Sequence, residues 1–175
     1  MFSEYKIRQA EVKDTNAIWQ LLQAGILKRK EEGSTQWQDG YPNVDVVTND
    51  IANQYGIVVE NEKHQIVAYI AMIEGIEPAY EELAGIWLSN QPYVVFHRLI
   101  VKLSHPVKGF ATWFMAQLEK IVLEKNIYSI KVDTNFDNVG MLRVFEKLGY
   151  QYCGKVYFRG SERLAFEKLL VVEKK

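Results

Sequence analysis

An α+β fold built on a mixed sheet is what the 175-residue sequence predicts, and three observations carry that expectation. A strand–helix–strand pattern fills the middle of the chain, and a helical crossover is the usual link between parallel strands. Hairpin-like strand pairs flank that pattern on both sides and add antiparallel pairing. Finally, 48% of the residues are apolar, enough for helices to pack on the sheet around a sizeable core.

The elements follow in order. Asp14 or Thr15 is suited to cap a first helix, in which Ile18, Leu21, Leu22 and Gly25 recur at helical spacing. Glu31-Glu32-Gly33-Ser34-Thr35 is a polar break after it. A shorter helix follows Pro42-Asn43 and turns Val47 and Ile51 inward. Ile57-Val58-Val59 reads as a strand, Asn61 to His64 as its turn, and Ile66 to Ile73 as the returning strand. Tyr93 to Leu103, rich in β-branched and aromatic residues, predicts a long strand, with a turn from Ser104 to Val107. The longest helical pattern comes next, with Phe110, Phe114, Leu118, Ile121 and Val122 on one face. Ser129 to Val132 reads as a short buried strand. Val139 to Leu148 reads as a helix that Gly149 closes in a left-handed cap, and Tyr150 to Val156 and Arg163 to Lys168 as the last strands.

Bulk properties exclude several classes of function. Lys and Arg number 21 against 22 Asp and Glu, a net charge of -1. No field of one sign points to nucleic acid or an anionic membrane. A single cysteine, Cys153, rules out an internal disulfide. The first residues, Met1 to Lys6, lack the basic-then-apolar order of a signal peptide. No apolar run approaches the ~20 residues that span a bilayer. Nothing reads as a repeat or a linker, so the expectation is one domain over residues 1–175 in the cytoplasm.

One segment draws attention for its chemistry. Lys108-Gly109-Phe110-Ala111 stands where a strand has ended and a long helix begins. Unpaired N–H groups and the helix dipole make such a start attractive to anions. Gly109 and Ala111 permit close approach to the backbone, and Lys108 adds a positive charge. The same four residues also suit an ordinary tight turn with a solvated lysine.

The surroundings give this segment its context. Leu99-Ile100-Val101, the short loop, Lys108-Gly109-Phe110-Ala111 and then Leu118-Glu119-Lys120 resemble the acetyl-CoA-binding core of the GNAT acetyltransferase superfamily. Ile130-Lys131-Val132-Asp133-Thr134-Asn135, Asn138, Met141 and Glu146-Lys147-Leu148-Gly149-Tyr150 resemble its second half. The likeness runs from about Tyr93 to Tyr150. Weaker similarity, in Gln36-Trp37-Gln38, Gly40-Tyr41-Pro42 and Arg163 to Lys168, is to a bacterial branch of unassigned substrate.

That resemblance implies a GNAT-like mixed, splayed central sheet with helices on both faces, and acetyl-CoA or coenzyme A as co-substrate. The backbone of Leu99, Ile100 and Val101 would pair with the pantetheine arm like an added strand. The N–H groups of Lys108, Gly109, Phe110, Ala111 and Thr112 would cradle the pyrophosphate. Asn138 would bond the pantetheine chain, and the helix after it, with Phe145, would flank the thiol end. The sequence departs from the family twice. Pro106 stands where Gln or Arg usually opens the loop, and Phe145 where many members carry a tyrosine that protonates the leaving thiolate.

Other residues are candidates on their own chemistry. His97 and Arg98 precede the pairing segment, and period-2 alternation puts His97 on the side of Leu99 and Val101, with Arg98 opposite. An imidazole suits removal of a proton from an ammonium substrate, directly or through water, though a hydrogen-bonded structural histidine is the commoner fate. Trp37, Tyr41, Tyr80 and Trp87 could wall an amine by stacking and cation–π contact or fill a core. Trp37, Tyr41 and Arg98 form the expected acceptor set. The carboxylates Asp39, Asp45, Glu74 and Glu77 suit a solvated surface, Asp133 a structural brace, and Cys153 a small buried hydrophobe. No cluster has metal-ligand spacing, so no metal is expected.

The expected activity is N-acetyltransfer to a primary amine of a small molecule or peptide by direct attack on the thioester, with no nucleic acid or membrane partner and room for a homodimer. A non-catalytic coenzyme-A-binding sensor or interaction module of the same fold is the alternative. A thioester enzyme acting on a hydroxyl or with a longer acyl chain is a further one.

Overall fold

The computed structural model describes residues 1–172. The chain divides into two compact units, Met1–Met72 with His97–Lys108, and Ile73–Phe96 with Gly109–Lys175.

The first unit starts with strand β1, Lys6–Gln9, which pairs antiparallel with β2, Gly56–Glu60. β2 in turn pairs antiparallel with β3, Ile66–Glu74. Strand order is β1-β2-β3-β5, where β5 is Val94–Val101. The β2–β3 turn is held by Asn61, whose side-chain oxygen accepts from the N–H groups of Lys63 and Gln65. A 3-10 turn, Val12–Asp14, leads into helix α1, Thr15–Glu31. Helix α2, Val44–Ala52, is capped by the Asn43 side chain, which accepts from Val46 N–H at 3.0 Å. Ile18 and Leu22 of α1 and Val47 and Ile51 of α2 pack with Val58 and Tyr69 in one cluster, with Trp37 and Ile100 against it.

Glycine at position 25, in the middle of α1, has a steric reason. A Cβ there would sit 2.7 Å from Ile100 Cδ1 and 3.1 Å from Trp37 Cζ3. The bare backbone lets both side chains close onto the helix, at the cost of about 1 kcal/mol in helix propensity.

The second unit holds the short helix α3, Pro78–Glu81, the two-residue strand β4, Ala84–Gly85, and the first residues of β5. Helix α4, Phe110–Glu124, strand β6, Ser129–Thr134, helix α5, Val139–Leu148, and strands β7, Gln151–Phe158, and β8, Ser161–Leu169, complete it. Here the order is β5-β6-β8-β7-β4. The β5–β6 ladder is parallel and consists of Val94↔Ile130 and Val95↔Lys131, whereas β6–β8, β7–β8 and β4–β7 are antiparallel. Phe110, Phe114, Leu118 and Val122 of α4 are buried as the pattern predicts, while Ile121 is only partly so. Gly149 ends α5 at φ 81°, the left-handed cap that a glycine favours.

The mixed sheet and the helices around it are as the sequence predicts, and the long elements lie within a few residues of their expected bounds. β1, α3 and β4 were not foreseen. They are four, four and two residues long, too short for periodicity to register.

Candidate active site

Among the predicted site residues, His97, Arg98, Leu99, Ile100 and Val101 lie on β5 in the first unit, together with Trp37, Tyr41 and Lys108. Gly109, Phe110, Ala111, Thr112, Asn138 and Phe145 belong to the second.

The expected alternation along β5 is broken at Arg98, whose φ is +59°. A left-handed residue inside a strand costs a non-glycine about 1–2 kcal/mol and destroys the period-2 rule on either side of it. Alternation therefore no longer aims His97 to the side of Leu99 and Val101. His97 is half-buried.

A buried ion pair holds the strained residue. Arg98 Nε and Nη2 donate to Asp50 Oδ2 and Oδ1 at 3.0 and 2.6 Å. The Asp50 and Arg98 side chains are 1% and 8% exposed. Asp50 also accepts from the Tyr69 hydroxyl, and Arg98 Nη1 donates to the Tyr41 hydroxyl. The guanidinium carbon lies 5.8 Å from the Tyr41 ring centre. Burial, and then the charge of Asp50, pushes the Tyr69 pKa far up, so its proton stays on the bridge to Asp50. Such bidentate, two-sided bonding supplies the geometry that a buried charge pair needs. Two members of the expected acceptor set, Arg98 and Tyr41, are thus joined directly. Asp50 and Tyr69 escaped the sequence reading. The available signal was Asp50 at helical spacing from Val47, an acid on the inward face of α2.

Trp37, the third member, has φ +63° and packs half-buried against the core beside Gly25. The bend that carries it is tied down. Arg29 Nη2 donates to Ser34 Oγ at 2.9 Å, the same oxygen accepts from Gln36 N–H, and Gln38 donates to the Ile26 carbonyl.

Past β5 the chain makes a fixed turn. Lys102 N–H donates to the Val67 carbonyl, His105 N–H to that of Lys102, and Val107 N–H to that of His105, at 2.8 to 2.9 Å. Lys108 is exposed. In the second unit Gly109 forms the N-cap of α4 with φ +79°, and no atom lies within 4 Å of where its Cβ would be. Glycine serves there for its backbone conformation, not for close packing. The first helical bond runs from Trp113 N–H to the Gly109 carbonyl at 2.9 Å, so the N–H groups of Phe110, Ala111 and Thr112 precede the helical ladder. The Phe110 ring is buried, which leaves its backbone as what it can offer a ligand.

Asn138 is the N-cap of α5, its Oδ1 accepting from Met141 N–H at 3.3 Å. The Phe145 ring is 2% exposed, with ring centres of Phe166 and Tyr150 at 5.1 and 5.6 Å. Burial, and then Glu119, pushes the Tyr150 pKa well up. The aromatics Tyr80 and Trp87 take the packing role, in a cluster with Tyr93, Val95 and Val156. Asp133, inside β6, accepts from the Tyr80 hydroxyl of α3 at 2.6 Å. Cys153 is buried and reduced, and burial raises its pKa.

A cavity of about 560 Å³ opens in the first unit among Asp14, Ala17, Leu21, Ile66, Lys102 and Ser104. None of the predicted site residues lines it. Among the described residues no group of His, Cys, Asp and Glu is arranged to hold a metal ion, and no helix is long and apolar enough to cross a membrane.

Comparison with known proteins bears on this arrangement. The model of the acetyltransferase (GNAT) family matches residues 22–150. A GNAT-family acetyltransferase from Streptococcus agalactiae 2603 superposes with a TM-score of 0.88 at 34% identity, over 98% of this chain and 99% of its own. A second, from Listeria monocytogenes 4b F2365, gives 0.77 at 20% identity over 95% of each chain. The yncA protein of Salmonella typhimurium, solved with its cofactor acetyl-CoA, gives 0.69 at 14% identity over 99% and 98%. No curated protein matched the sequence. With most of its length described by one family model and a whole-chain structural match at 34% identity, this chain belongs to the GNAT acetyltransferase family.

Proposed function

We propose that the chain works as one acetyl-CoA-dependent N-acetyltransferase over residues 1–175, in the cytoplasm, on a primary amine of a small molecule or peptide. The observation that carries this reading is the segment from β5 to α4 within the family match. A strand, a short fixed turn, exposed Lys108 and left-handed Gly109 lead directly into a 15-residue helix. Backbone donors ahead of the first helical bond, together with the helix dipole, favour a pyrophosphate. The residues present therefore fit coenzyme A at that point.

In this reading Leu99, Ile100 and Val101 offer backbone groups to the pantetheine arm as an added strand would. Asn138 and the start of α5 flank its other end. The neutral amine attacks the acetyl carbonyl, a C–N bond forms and the C–S bond breaks. The thiolate leaves with the electron pair of that bond. His97 takes the proton that the amine nitrogen gives up, and Trp37, Tyr41 and Arg98 receive the acceptor. Phe145 has no proton to give, so the thiolate is protonated by water. Most of the rate comes from positioning and from polarisation of the carbonyl by backbone donors.

The test is a panel of primary amines with acetyl-CoA, followed by thiol release. Transfer to at least one amine is expected. His97→Gln should keep acetyl-CoA binding and lower turnover about 100-fold, the lower end of general-base contributions. Binding of coenzyme A without transfer to any amine would favour the sensor or interaction module, a reading that Pro106 and the buried Phe145 ring support. Failure to bind at all would end both.

A further inference from the structure

The loop from Lys102 to Lys108 has to be held still if Lys108 is to meet a diphosphate. In this chain Pro106 sits at its centre and brings neither an N–H nor a polar side chain. Its backbone bonds are the anchor of Lys102 N–H on the Val67 carbonyl, the turn from Lys102 to His105 and the tight bond from Val107 N–H to the His105 carbonyl. A side-chain contact from a distant part of the sequence supplies what the loop lacks. The Tyr5 hydroxyl and His105 Nε2 share a hydrogen bond of 2.7 Å across a separation of 100 residues. The two rings also meet edge to face, with centres 5.4 Å apart at 82°. Phe2 backs Tyr5 at 6.2 Å, and Tyr5 N–H donates to the Phe2 carbonyl at 3.2 Å. A hydrogen bond combined with an edge-to-face contact fixes an imidazole in both position and ring orientation.

We infer that Tyr5 is a positioning residue for the phosphate end of coenzyme A, acting through His105 on the path of the 102–108 loop. The inference rests on the proposed coenzyme-A site. A loop already held in its binding conformation does not lose that freedom on complex formation, and affinity rises accordingly. The benefit should be confined to the part of the ligand that the loop meets. That is the diphosphate, not the pantetheine arm that runs along β5.

The experiment measures affinity of the full chain for two probes, acetyl-CoA and S-acetylpantetheine, which lacks the diphosphate and nucleotide. Tyr5→Phe should weaken acetyl-CoA about five-fold, the worth of one net hydrogen bond, and leave S-acetylpantetheine unchanged. His105→Leu should do the same, and the double variant should be no worse than either single one, since both remove one contact. His105→Gln, which keeps a hydrogen-bonding partner for Tyr5, should restore part of the affinity. Equal weakening for both probes, or none for acetyl-CoA, overturns the positioning role while the coenzyme-A reading stands. A wild-type chain that binds neither probe overturns both.

Discussion

Asp50 in the first unit and Glu167 in the second are buried carboxylates matched in opposite ways, while Glu119 of the second unit, like Asp50, meets a cation, Lys168 at 2.7 Å. In the first unit, buried carboxylates face guanidinium groups. Asp50 meets Arg98, while Asp14 and Glu60 both meet Arg8, whose Nη1 donates to Asp14 Oδ2 at 2.6 Å. In the second, Glu167 is fully buried yet satisfied by neutral donors. Leu88 N–H donates at 2.6 Å, Ser89 N–H at 3.3 Å, and the hydroxyls of Ser89 and Ser129 at 2.7 Å each. Lys131, 4% exposed, lies between ring faces, its Nζ 4.0 Å from the centre of Tyr93 and 4.3 Å from that of Trp87. A charge matched chiefly by one opposite charge depends mainly on that partner. A charge matched by several dipoles can lose one and keep the rest.

The largest effect should come from breaking a pair in the first unit. Arg98→Met leaves Asp50 buried with only the Tyr69 hydroxyl, and should lower unfolding free energy by about 3 to 5 kcal/mol, read by urea denaturation. Loss below about 1 kcal/mol would show that the Asp50 charge finds water instead. In the second unit, Glu167→Gln keeps the shape but gives the former acceptor site two N–H donors against the donors already there. A loss of about 2 kcal/mol is expected, smaller than for Arg98→Met. A larger loss would reverse the comparison.

The smallest effect concerns Lys131 and pH. Burial pushes its pKa below the ordinary 10.5. Between the lowered value and 10.5 the folded chain has released this proton while the unfolded chain still holds it, so stability rises with pH. Below the folded value the contribution is constant. The difference in stability between wild type and Lys131→Met should therefore climb across that alkaline window. A flat difference would mean that the two ring faces hold the ammonium as well as water does.

How much of this was legible depends on the range of the interactions. The amphipathic runs of α1 and α4 and the β-branched runs of β2, β3 and β5 were readable, because each repeats a local spacing. Gly149 announced its helix end by chemistry alone, whereas Asp14, suited by type to cap α1, makes no side-chain cap bond there. The strained φ at Arg98 was not readable, and the alternation argument for His97 failed with it. Its support comes from Asp50, 48 residues away, and no local pattern reports such a partner. Tyr5 and His105 were hidden for the same reason. Tyr80 and Trp87 illustrate the converse: core packing and ligand stacking ask for the same residue types, so composition could not separate them.

Gly25 carries a lesson for engineering. Replacing helical glycine by alanine is a standard way to stabilise a protein, since it removes freedom from the unfolded chain. In α1 the added methyl would press on Ile100 Cδ1 at 2.7 Å, and Ile100 belongs to the strand segment proposed to pair with coenzyme A. A gain in helix propensity would be set against repacking of the Ile100 side-chain tip and the Trp37 ring. Thermostabilised versions of this chain are better sought at exposed positions elsewhere, with residue 25 left as it is.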